Sequence, residues 1–288
     1  MKDTNCLTAE MLIENEPSSY NIFKSDAVMT GFKDLDDITE GFLPGELICI
    51  AGRNSMGATG LALSILNRVC IRDRKHCLYF ALAEDARSIL SRLIANVSNK
   101  PDIFRPEHED ELKETLRKIE KSPFSINETA YFVDSIERTC EKQISKAPVD
   151  LVIVDYHQLI KIGKEDRSLI SVHLKKLARS IKYPIIVLCQ LDQSIDRRDD
   201  RRPLLSDLGS VGEMNHYADK VLLMYREDYY NTDTKNAAIL QILVAKNNYA
   251  GRVGKVELLH KGGGIFVDIP KKHNNHHSRI HIEDDPKE

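Results

Sequence analysis

Short apolar runs alternate with segments of helical periodicity along most of the chain, and this alternation strongly constrains the fold. The four strand-like runs in this alternating part are residues 47–51, 77–82, 151–155 and 185–189. The segments with helical spacing are residues 57–70, 86–97, 109–121, 133–146 and 168–182. Further strand-like runs follow at residues 220–225, 238–246, 255–259 and 264–268. Strands that alternate with helices, followed by a strand-rich end, predict an α/β fold with a mainly parallel central sheet, extended by antiparallel strands and covered by helices on both faces.

The two ends of the chain differ in composition from the part between them. Residues 1–27 are polar and mixed, with one short helical stretch near residues 8–14. Residues 271–288 have few apolar residues and four histidines, without periodicity. We predict an N-terminal arm with a short helix over 1–27, one core domain over 28–270 and a disordered polar tail over 271–288. The irregular spacing of the tail histidines favours a solvated tail over a metal-binding tract.

Composition excludes several classes of protein. No apolar run approaches the length of about 18 residues that a membrane helix needs, and the N-terminus has no apolar signal core. The six cysteines are scattered singly without a CxxC pair, which predicts reduced, buried thiols in a cytoplasmic protein rather than a zinc cluster. The formal net charge of -3 argues against a large nucleic-acid footprint but permits a local one.

The turn after the first predicted strand, residues 52–59, reads GRNSMGAT. It matches the phosphate-loop pattern G-x-x-x-x-G-K-[ST] at every fixed position except one, because Ala58 stands where the pattern has lysine. Gly52 and Gly57 permit the backbone path that directs amide N–H groups at phosphate oxygens, and Thr59 can bind Mg²⁺. Ala58 cannot supply the cation that reaches the terminal phosphates. An ordinary glycine turn between a strand and a helix is the alternative.

A second strand supplies the carboxylate that a phosphate-loop site requires. Residues 151–155 read LVIVD and end in Asp155, which is the Walker B arrangement in which an aspartate helps to hold Mg²⁺. Strands that end in aspartate are common, but both motifs in this order within an α/β pattern favour a nucleotide site. ATP and Mg²⁺ are therefore the predicted cofactors, with Thr59 and Asp155 as the metal ligands if nucleotide binds.

Residues 28–270 resemble the C-terminal ATPase domain of the hexameric replicative DNA helicases of the DnaB type, which have a RecA-like core. The matching segments are residues 30–36 (TGFKDLD), 41–47 (GFLPGEL), 53–57 (RNSMG, against RPSMG), 155–159 (DYHQL, against DYLQL) and 188–191 (LCQL, against LSQL). Shorter matches lie at residues 202–203, 206–208, 218–219 and 225–226. The resemblance implies a nucleotide site at Gly52, Ser55, Gly57, Thr59, Asp155 and Gln190. It does not extend to the family's N-terminal collar domain, because only 27 residues precede the core.

The departures from the family fall at positions where the family has catalytic or DNA-contacting residues. The family's phosphate-loop lysine, catalytic glutamate and arginine finger correspond to Ala58, Ala83 and Asn248. Two further family arginines, after the SQL and Ser-Asp-Leu segments, correspond to Gln193 and Gly209. Three residues offer displaced substitutes. Glu84 lies one position after that of the catalytic glutamate, and on a strand end its side chain is expected to point the other way. Arg252 lies four residues beyond Asn248, the position of the arginine finger. Arg53 could replace the phosphate-loop lysine only poorly, because the family already has an arginine at this position.

These departures predict a catalytically degenerate protein. Loss of one electrostatic group at a developing charge lowers a rate on the order of 10²–10³-fold, and loss of a positioned base lowers it roughly 10²–10⁴-fold. The favoured hypothesis is a non-catalytic helicase-like protein that binds a replicative helicase or another replication protein, in a ring-type homo- or hetero-oligomer. The alternatives are an active ATP-dependent helicase or translocase with a rearranged site, and a module that binds single-stranded DNA.

Other residues that could contact DNA or the site are ambiguous. Arg197, Arg198, Arg201 and Arg202 are the candidate DNA contacts, but neighbouring aspartates offset their charge and no aromatic residues are expected to cluster there for base stacking. His157 is interpreted as a hydrogen-bonded neighbour of the site rather than a catalytic group. Tyr229 and Tyr230 are interpreted as the end of a strand rather than a contact patch.

Overall fold

Nine strands form a single sheet in the computed structural model, which describes residues 26–164, 166–211 and 213–270. In chain order, β1 to β9 are Leu47–Gly52, Cys77–Ala81, Phe124–Asn127, Leu151–Asp155, Ile185–Gln190, Lys220–Arg226, Ile239–Asn247, Gly254–His260 and Phe266–Asp268. Their spatial order is β3-β2-β4-β5-β1-β6-β7-β8-β9. The six strands from β3 to β6 pair in parallel, and β6 to β9 pair antiparallel. The predicted fold class, a mainly parallel sheet with an antiparallel extension, is confirmed.

The described residues contain seven α-helices, of which the first precedes β1 and the others lie between strands. In chain order, α1 to α7 are Lys33–Thr39, Ala58–Leu66, Ala86–Ser98, Glu109–Glu120, Val133–Ile144, Ile170–Ile181 and Met214–Tyr217. Helix α2 continues into a wider helical turn, Asn67–Arg72. Short 3₁₀ turns lie at Pro106–His108, His157–Leu159, Arg167–Leu169, Gln193–Arg197, Leu205–Val211 and Glu227–Tyr229.

The central strands are buried on both faces, which explains why their sequences are continuous apolar runs rather than alternating ones. Side chains of β1 alternate between two apolar clusters: Ile48 and Ile50 face one, and Leu47, Cys49 and Ala51 face the other. Helices α2 and α3 cover the first cluster, and α5 and α6 cover the second. Helices therefore lie on both faces, as the sequence predicts.

Three elements, α1, β3 and the four-residue α7, lie where the sequence predicts neither a helix nor a strand. β3 has four residues, FSIN, at the edge of the sheet, and each is only half-buried, so no apolar run marks it. α1 has seven residues, of which only Leu35 and Thr39 are buried, so its periodicity is too short to detect. The predicted N-terminal helical stretch and the polar tail with its histidines lie outside the described residues.

Two structural findings bear on the predictions about membrane helices and cysteines. No helix in the described part of the chain combines the length and the apolar character that a bilayer crossing requires. The cysteines that the structure describes, Cys49, Cys70, Cys77, Cys140 and Cys189, are all buried and form no disulfide among themselves.

A buried ion pair fixes the edge of the sheet at which β1 and β6 begin. Glu46 immediately precedes β1, and its carboxylate accepts hydrogen bonds from the Lys220 ammonium and from the Leu43 backbone N–H, the latter at 2.8 Å. Lys220 opens β6 and is fully buried. Burial lowers the pKa of Lys220, and the charge of Glu46 opposes that effect. The charge of the buried Lys220 ammonium is therefore supported by Glu46.

We expect Glu46→Gln to destabilise the protein by about 3–5 kcal/mol, because it leaves a buried ammonium without its counter-charge. Glutamine keeps an acceptor for the Leu43 N–H, so the loss of stability reports the removal of the negative charge. Urea unfolding of this variant, of Lys220→Met and of the double variant measures the coupling. The double variant removes both charges and should be more stable than Glu46→Gln alone; equal or lower stability would contradict the interpretation.

Candidate functional site

The loop between β1 and α2 has the backbone geometry of an anion cradle. Ser55 has φ 63° and Gly57 has φ 100°, so the chain turns sharply before α2 begins at Ala58. A residue with a side chain at Gly57 would be strained, and its Cβ would lie 2.7 Å from the Phe266 ring. No side chain caps the N-terminus of α2. Its first backbone N–H groups therefore remain for a ligand at the loop.

Close backbone packing sets the position of α2. A Cβ built on Gly60 would lie 2.4 Å from the carbonyl oxygen of Gly264, so the helix and the loop before β9 touch through two glycines. One turn further on, the Ser64 hydroxyl accepts hydrogen bonds from the Phe266 N–H at 3.2 Å and from the Asn96 side chain at 2.7 Å. These contacts hold the start of α2, and hence the loop, against β9 and α3.

Asp155, the last residue of β4, joins three elements through one carboxylate oxygen. Its Oδ2 accepts hydrogen bonds from the Thr59 hydroxyl at 2.8 Å and from the Tyr79 hydroxyl at 2.7 Å. Burial raises the pKa of Asp155, and the two hydroxyl donors oppose that rise. Burial also raises the pKa of Tyr79 well above its usual value, so the phenol stays protonated and donates. The sequence analysis missed Tyr79, because it lies inside an apolar run with no motif around it.

Thr59 and Asp155 present the oxygen donors that suit Mg²⁺. This ion is usually held by one or two protein ligands together with water and substrate phosphate oxygens. In the described part of the chain, no group of three or more His, Cys, Asp or Glu side chains is arranged to hold a metal by itself. The Thr59–Asp155 pair therefore fits a metal that arrives with a phosphate ligand, and these two residues would hold it.

A cleft of about 330 Å³ opens above the loop, at the carboxyl ends of the parallel strands. Its lining comprises Gly52, Arg53, Asn54, Ser55, Gly57, Ala58, Thr59, Ala83, Glu84, Arg92, Asp155, Tyr156, Leu188, Cys189 and Gln190. The structure thus brings all six predicted nucleotide-site residues together with Ala58 and Ala83. Gln158, which follows β4, supports Gln190 by donating to its carbonyl oxygen at 2.7 Å.

Glu84 points into this cleft, which corrects the prediction that it points away. The prediction assumed strand alternation, but β2 ends at Ala81, and the chain bends through Leu82–Glu84, so both Ala83 and Glu84 line the cleft. The Glu84 carboxylate forms an ion pair with Arg92, which projects from α3. No sequence motif marks Arg92, so the sequence analysis missed it.

Arg53 is held away from the position of the missing lysine. Its guanidinium donates to the Asp196 carboxylate at 2.8 and 3.3 Å and to the Leu191 carbonyl oxygen at 2.9 Å. Asp196 also accepts a hydrogen bond from the Tyr230 hydroxyl at 2.8 Å. Arg53 therefore links the phosphate loop to the segment after β5. These contacts agree with the prediction that Arg53 is a poor substitute for the phosphate-loop lysine.

Asn248 and Arg252 lie at the turn between β7 and β8 and are not among the cleft residues. Asn248 is exposed. Arg252 is bound to the end of α1: its guanidinium donates to the Asp37 carbonyl oxygen at 3.1 Å and lies 3.5 Å from the Glu40 carboxylate. Within one chain, Arg252 therefore does not serve the cleft.

The arginines predicted as DNA contacts are largely engaged with their own chain. Arg198 pairs with Asp207 at 2.8 Å, and Arg202 lies 3.4 Å from Asp200, whereas Arg197 is exposed. The expectation that no aromatic residues cluster there is wrong. The guanidinium of Arg201 lies 5.0 Å from the ring centre of Tyr230, and that of Arg202 lies 4.9 Å from the ring centre of Tyr225. Tyr225 comes from β6, more than 20 residues further along the sequence, so only the fold reveals this cluster.

The remaining ambiguous residues are structural neighbours. His157 is 3% exposed, and its Nε2 lies 3.4 Å from the Ser171 hydroxyl oxygen. Burial and the charge of Arg167 lower the pKa of His157 to about 4, so the ring is neutral near pH 7. Tyr229 and Tyr230 lie just beyond the end of β6 and stack edge to face, with ring centres 4.9 Å apart.

Comparisons with known proteins place this cleft in a family context. Residues 27–265 match the family described as DnaB-like helicase C terminal domain. The chain is 33% identical over 260 residues to the replicative DNA helicase DnaB of Geobacillus stearothermophilus and 31% identical over 260 residues to the replicative DNA helicase DnaC of Bacillus subtilis. Each match covers 85% of this chain and 57% of the relative, so the chain spans little more than half the length of these curated relatives.

Two solved structures resemble the chain throughout the described core. One is an ATPase domain that is 29% identical with a TM-score of 0.78, and the match covers 84% of this chain and 91% of that one. The other is a DnaB-like replicative helicase, described together with its interactions with primase. It is 28% identical with a TM-score of 0.80, and the match covers 93% of this chain and 68% of that one. The sheet and helices described above are therefore those of RecA-like ATPase domains.

We expect Gly60→Ala to destabilise the protein by about 1–3 kcal/mol, because the added methyl overlaps the backbone of Gly264. Helix propensity alone predicts the opposite sign, since alanine is favoured over glycine within a helix. Gly209→Ala is the matched control, because nothing lies within 4 Å of its added Cβ. Thermal unfolding of both variants measures the difference; a Gly60→Ala variant as stable as wild type would contradict the packing argument.

Proposed function

Because the chain belongs to the family of DnaB-like helicase C-terminal domains, we propose that it serves DNA replication in the cytoplasm as a helicase-like subunit with impaired ATP hydrolysis. In this proposal the cleft binds a Mg²⁺-nucleotide. The protein then acts by binding a replicative helicase or another replication protein, as a member of a ring-type homo- or hetero-oligomer. The core over 28–270 carries this function, and the polar segments over 1–27 and 271–288 flank it.

One observation carries the proposal: the cleft retains its loop backbone and oxygen donors but has alanine at two positions where the family has charged groups. Gly52, Ser55, Gly57, Thr59, Asp155 and Gln190 all line it. Ala58 and Ala83 line it as well and offer only methyl groups. Backbone N–H groups at a helix N-terminus suffice to hold phosphate oxygens, whereas stabilising a transferring phosphoryl group needs a positioned cation and a residue that positions the nucleophile. Binding without efficient turnover follows.

We expect the full chain to bind MgATP in isothermal titration and to show little ATP hydrolysis, with or without single-stranded DNA. The double variant Ala58→Lys with Ala83→Glu restores both charged groups and should raise hydrolysis by about 10²-fold or more. Adding Asp155→Ala to the double variant is the control for contaminating activity. No heat at millimolar MgATP would contradict nucleotide binding, and no gain in the double variant would contradict the explanation of impairment.

A rearranged active helicase or translocase is the second candidate, and the position of Glu84 in the cleft favours it. Its carboxylate could take the place of the missing glutamate only after separating from Arg92. Clear hydrolysis by the wild-type protein that is stimulated by single-stranded DNA and abolished by Asp155→Ala would establish this candidate. DNA binding through Arg197, Arg198, Arg201 and Arg202 belongs to the same proposal, and the Arg–Tyr cluster supports it.

The partner-binding part of the proposal rests on the turn between β7 and β8. In the family that this segment resembles, it carries the arginine finger and faces the neighbouring subunit. Here it carries Asn248 and exposes two large side chains, Tyr249 at 42% and Val253 at 51%. Exposed apolar groups beside a missing catalytic arginine suit a subunit contact that has lost its catalytic contribution.

We expect the purified chain to co-migrate in size-exclusion chromatography with a purified DnaB-type replicative helicase from the same cell. Paired substitutions Tyr249→Ser and Val253→Ser should weaken that association because they remove apolar contact area at this turn. Leu116→Ser on α4 is a control, since Leu116 is also 42% exposed but lies on another element. Failure to associate in the absence of nucleotide and with either MgATP or MgADP would contradict the proposed partner.

A further inference from the structure

We propose that Arg92 binds the terminal phosphate of a Mg²⁺-nucleoside triphosphate in this cleft, in place of the phosphate-loop lysine that Ala58 replaces. The inference rests on the proposed nucleotide binding and assigns a residue to it. It also predicts that binding exchanges one partner of Arg92, the Glu84 carboxylate, for the phosphate.

A cation that takes the place of the lysine must come from the lining of the cleft. Among the described residues that line the cleft, the cationic side chains are Arg53 and Arg92. Arg53 is about nine-tenths buried and bound by three hydrogen bonds to Asp196 and Leu191. Withdrawing Arg53 would leave Asp196 without that partner and would break the connection between the phosphate loop and the segment after β5. Arg92 is the cation that can respond to a ligand.

Arg92 lies close to the segment that packs on the first turn of α2. One guanidinium nitrogen, Nη2, lies 3.5 Å from the point where a Cβ on Gly264 would sit, and Gly264 packs on Gly60 at the first turn of α2. Arg92 also lines the same cleft as Thr59 and Asp155, the metal-binding pair. The guanidinium thus lies near the first turn of α2, in the cleft that Ala58 also lines.

The helix that carries Arg92, α3, is held near both ends. Asp85 caps α3 by accepting from the Ser88 N–H at 2.8 Å, and Ile89 and Leu93 are buried in the core. Asn96 bonds to Ser64 of α2. Both ends of α3 are therefore fixed, so that only the Arg92 side chain needs to move to reach a phosphate.

The Arg92 side chain is partly exposed and pairs with Glu84. Arg92 and Glu84 are each about one-third exposed, so their ion pair is accessible to solvent and contributes little to stability. A triphosphate offers a higher negative charge and a geometry that suits bidentate arginine binding. The guanidinium can therefore leave Glu84 for a phosphate at small energetic cost.

The test compares two nucleotides that differ at the terminal phosphate: the non-hydrolysable imido analogue of MgATP, and MgADP. In isothermal titration with the full chain, Arg92→Ala should weaken binding of the triphosphate analogue by about 10–30-fold and of MgADP by less than about threefold. Arg92→Lys should retain part of the preference. Arg87→Ala is the matched control, because Arg87 is exposed on the same helix and does not line the cleft.

Two further variants keep the inference falsifiable if Arg92→Ala is poorly folded. Glu84→Gln removes the competing carboxylate and should tighten binding of the triphosphate analogue by about 3–10-fold. Ala58→Lys in the Arg92→Ala background should restore the preference for the triphosphate. Equal losses for both nucleotides in Arg92→Ala, or weaker triphosphate binding in Glu84→Gln, would overturn the role of Arg92 while nucleotide binding stands. Absence of binding by either nucleotide to the wild-type chain would overturn both proposals.

Discussion

One buried carboxylate holds the site together. Asp155 ends β4, and its Oδ2 atom accepts hydrogen bonds from Thr59 at the start of α2 and from Tyr79 in β2. A carboxylate that is 4% exposed needs such donors to remain ionised, because burial alone raises its pKa. The same bonds fix the phosphate loop relative to the parallel strands beside it. The geometry of the cleft therefore depends on polar contacts among the protein's own residues.

Some residues of the site are constrained by the fold, whereas Ala58 and Ala83 are not. Gly57, Gly60 and Asp155 are constrained by backbone conformation, packing and burial, so they are needed for the fold itself. Ala58 and Ala83 line the cleft; Ala83 is exposed, and Ala58 is half-buried at the edge of the core. A charged side chain at these two positions would contribute to phosphate chemistry but little to folding. A chain can therefore keep the architecture of an ATPase domain without charged side chains at these two positions.

The sequence predicts those parts of the fold that leave a local signal. Continuous apolar runs identify β1, β2, β4 and β5, and the phosphate-loop pattern places Thr59 correctly beside Asp155. β3 is missed because an edge strand of four half-buried residues has no such run. The direction of Glu84 is wrongly predicted because strand alternation ends at Ala81. Tyr79, Arg92 and the Arg53–Asp196 pair depend on contacts between distant segments, which no local pattern encodes.

A cation that comes from α3 would change what the nucleotide connects. A lysine in the phosphate loop adds a second contact to a segment that already binds the phosphates through its backbone. Arg92 instead projects from α3, a helix bound to α2 through Asn96 and Ser64. A triphosphate held by Arg92 would join the loop to the β2–α3 wall, whereas a diphosphate would leave Arg92 on Glu84. The two nucleotide states would then differ in how firmly these walls are connected, even without hydrolysis. Such a difference is what a subunit that binds partners in a nucleotide-dependent way requires.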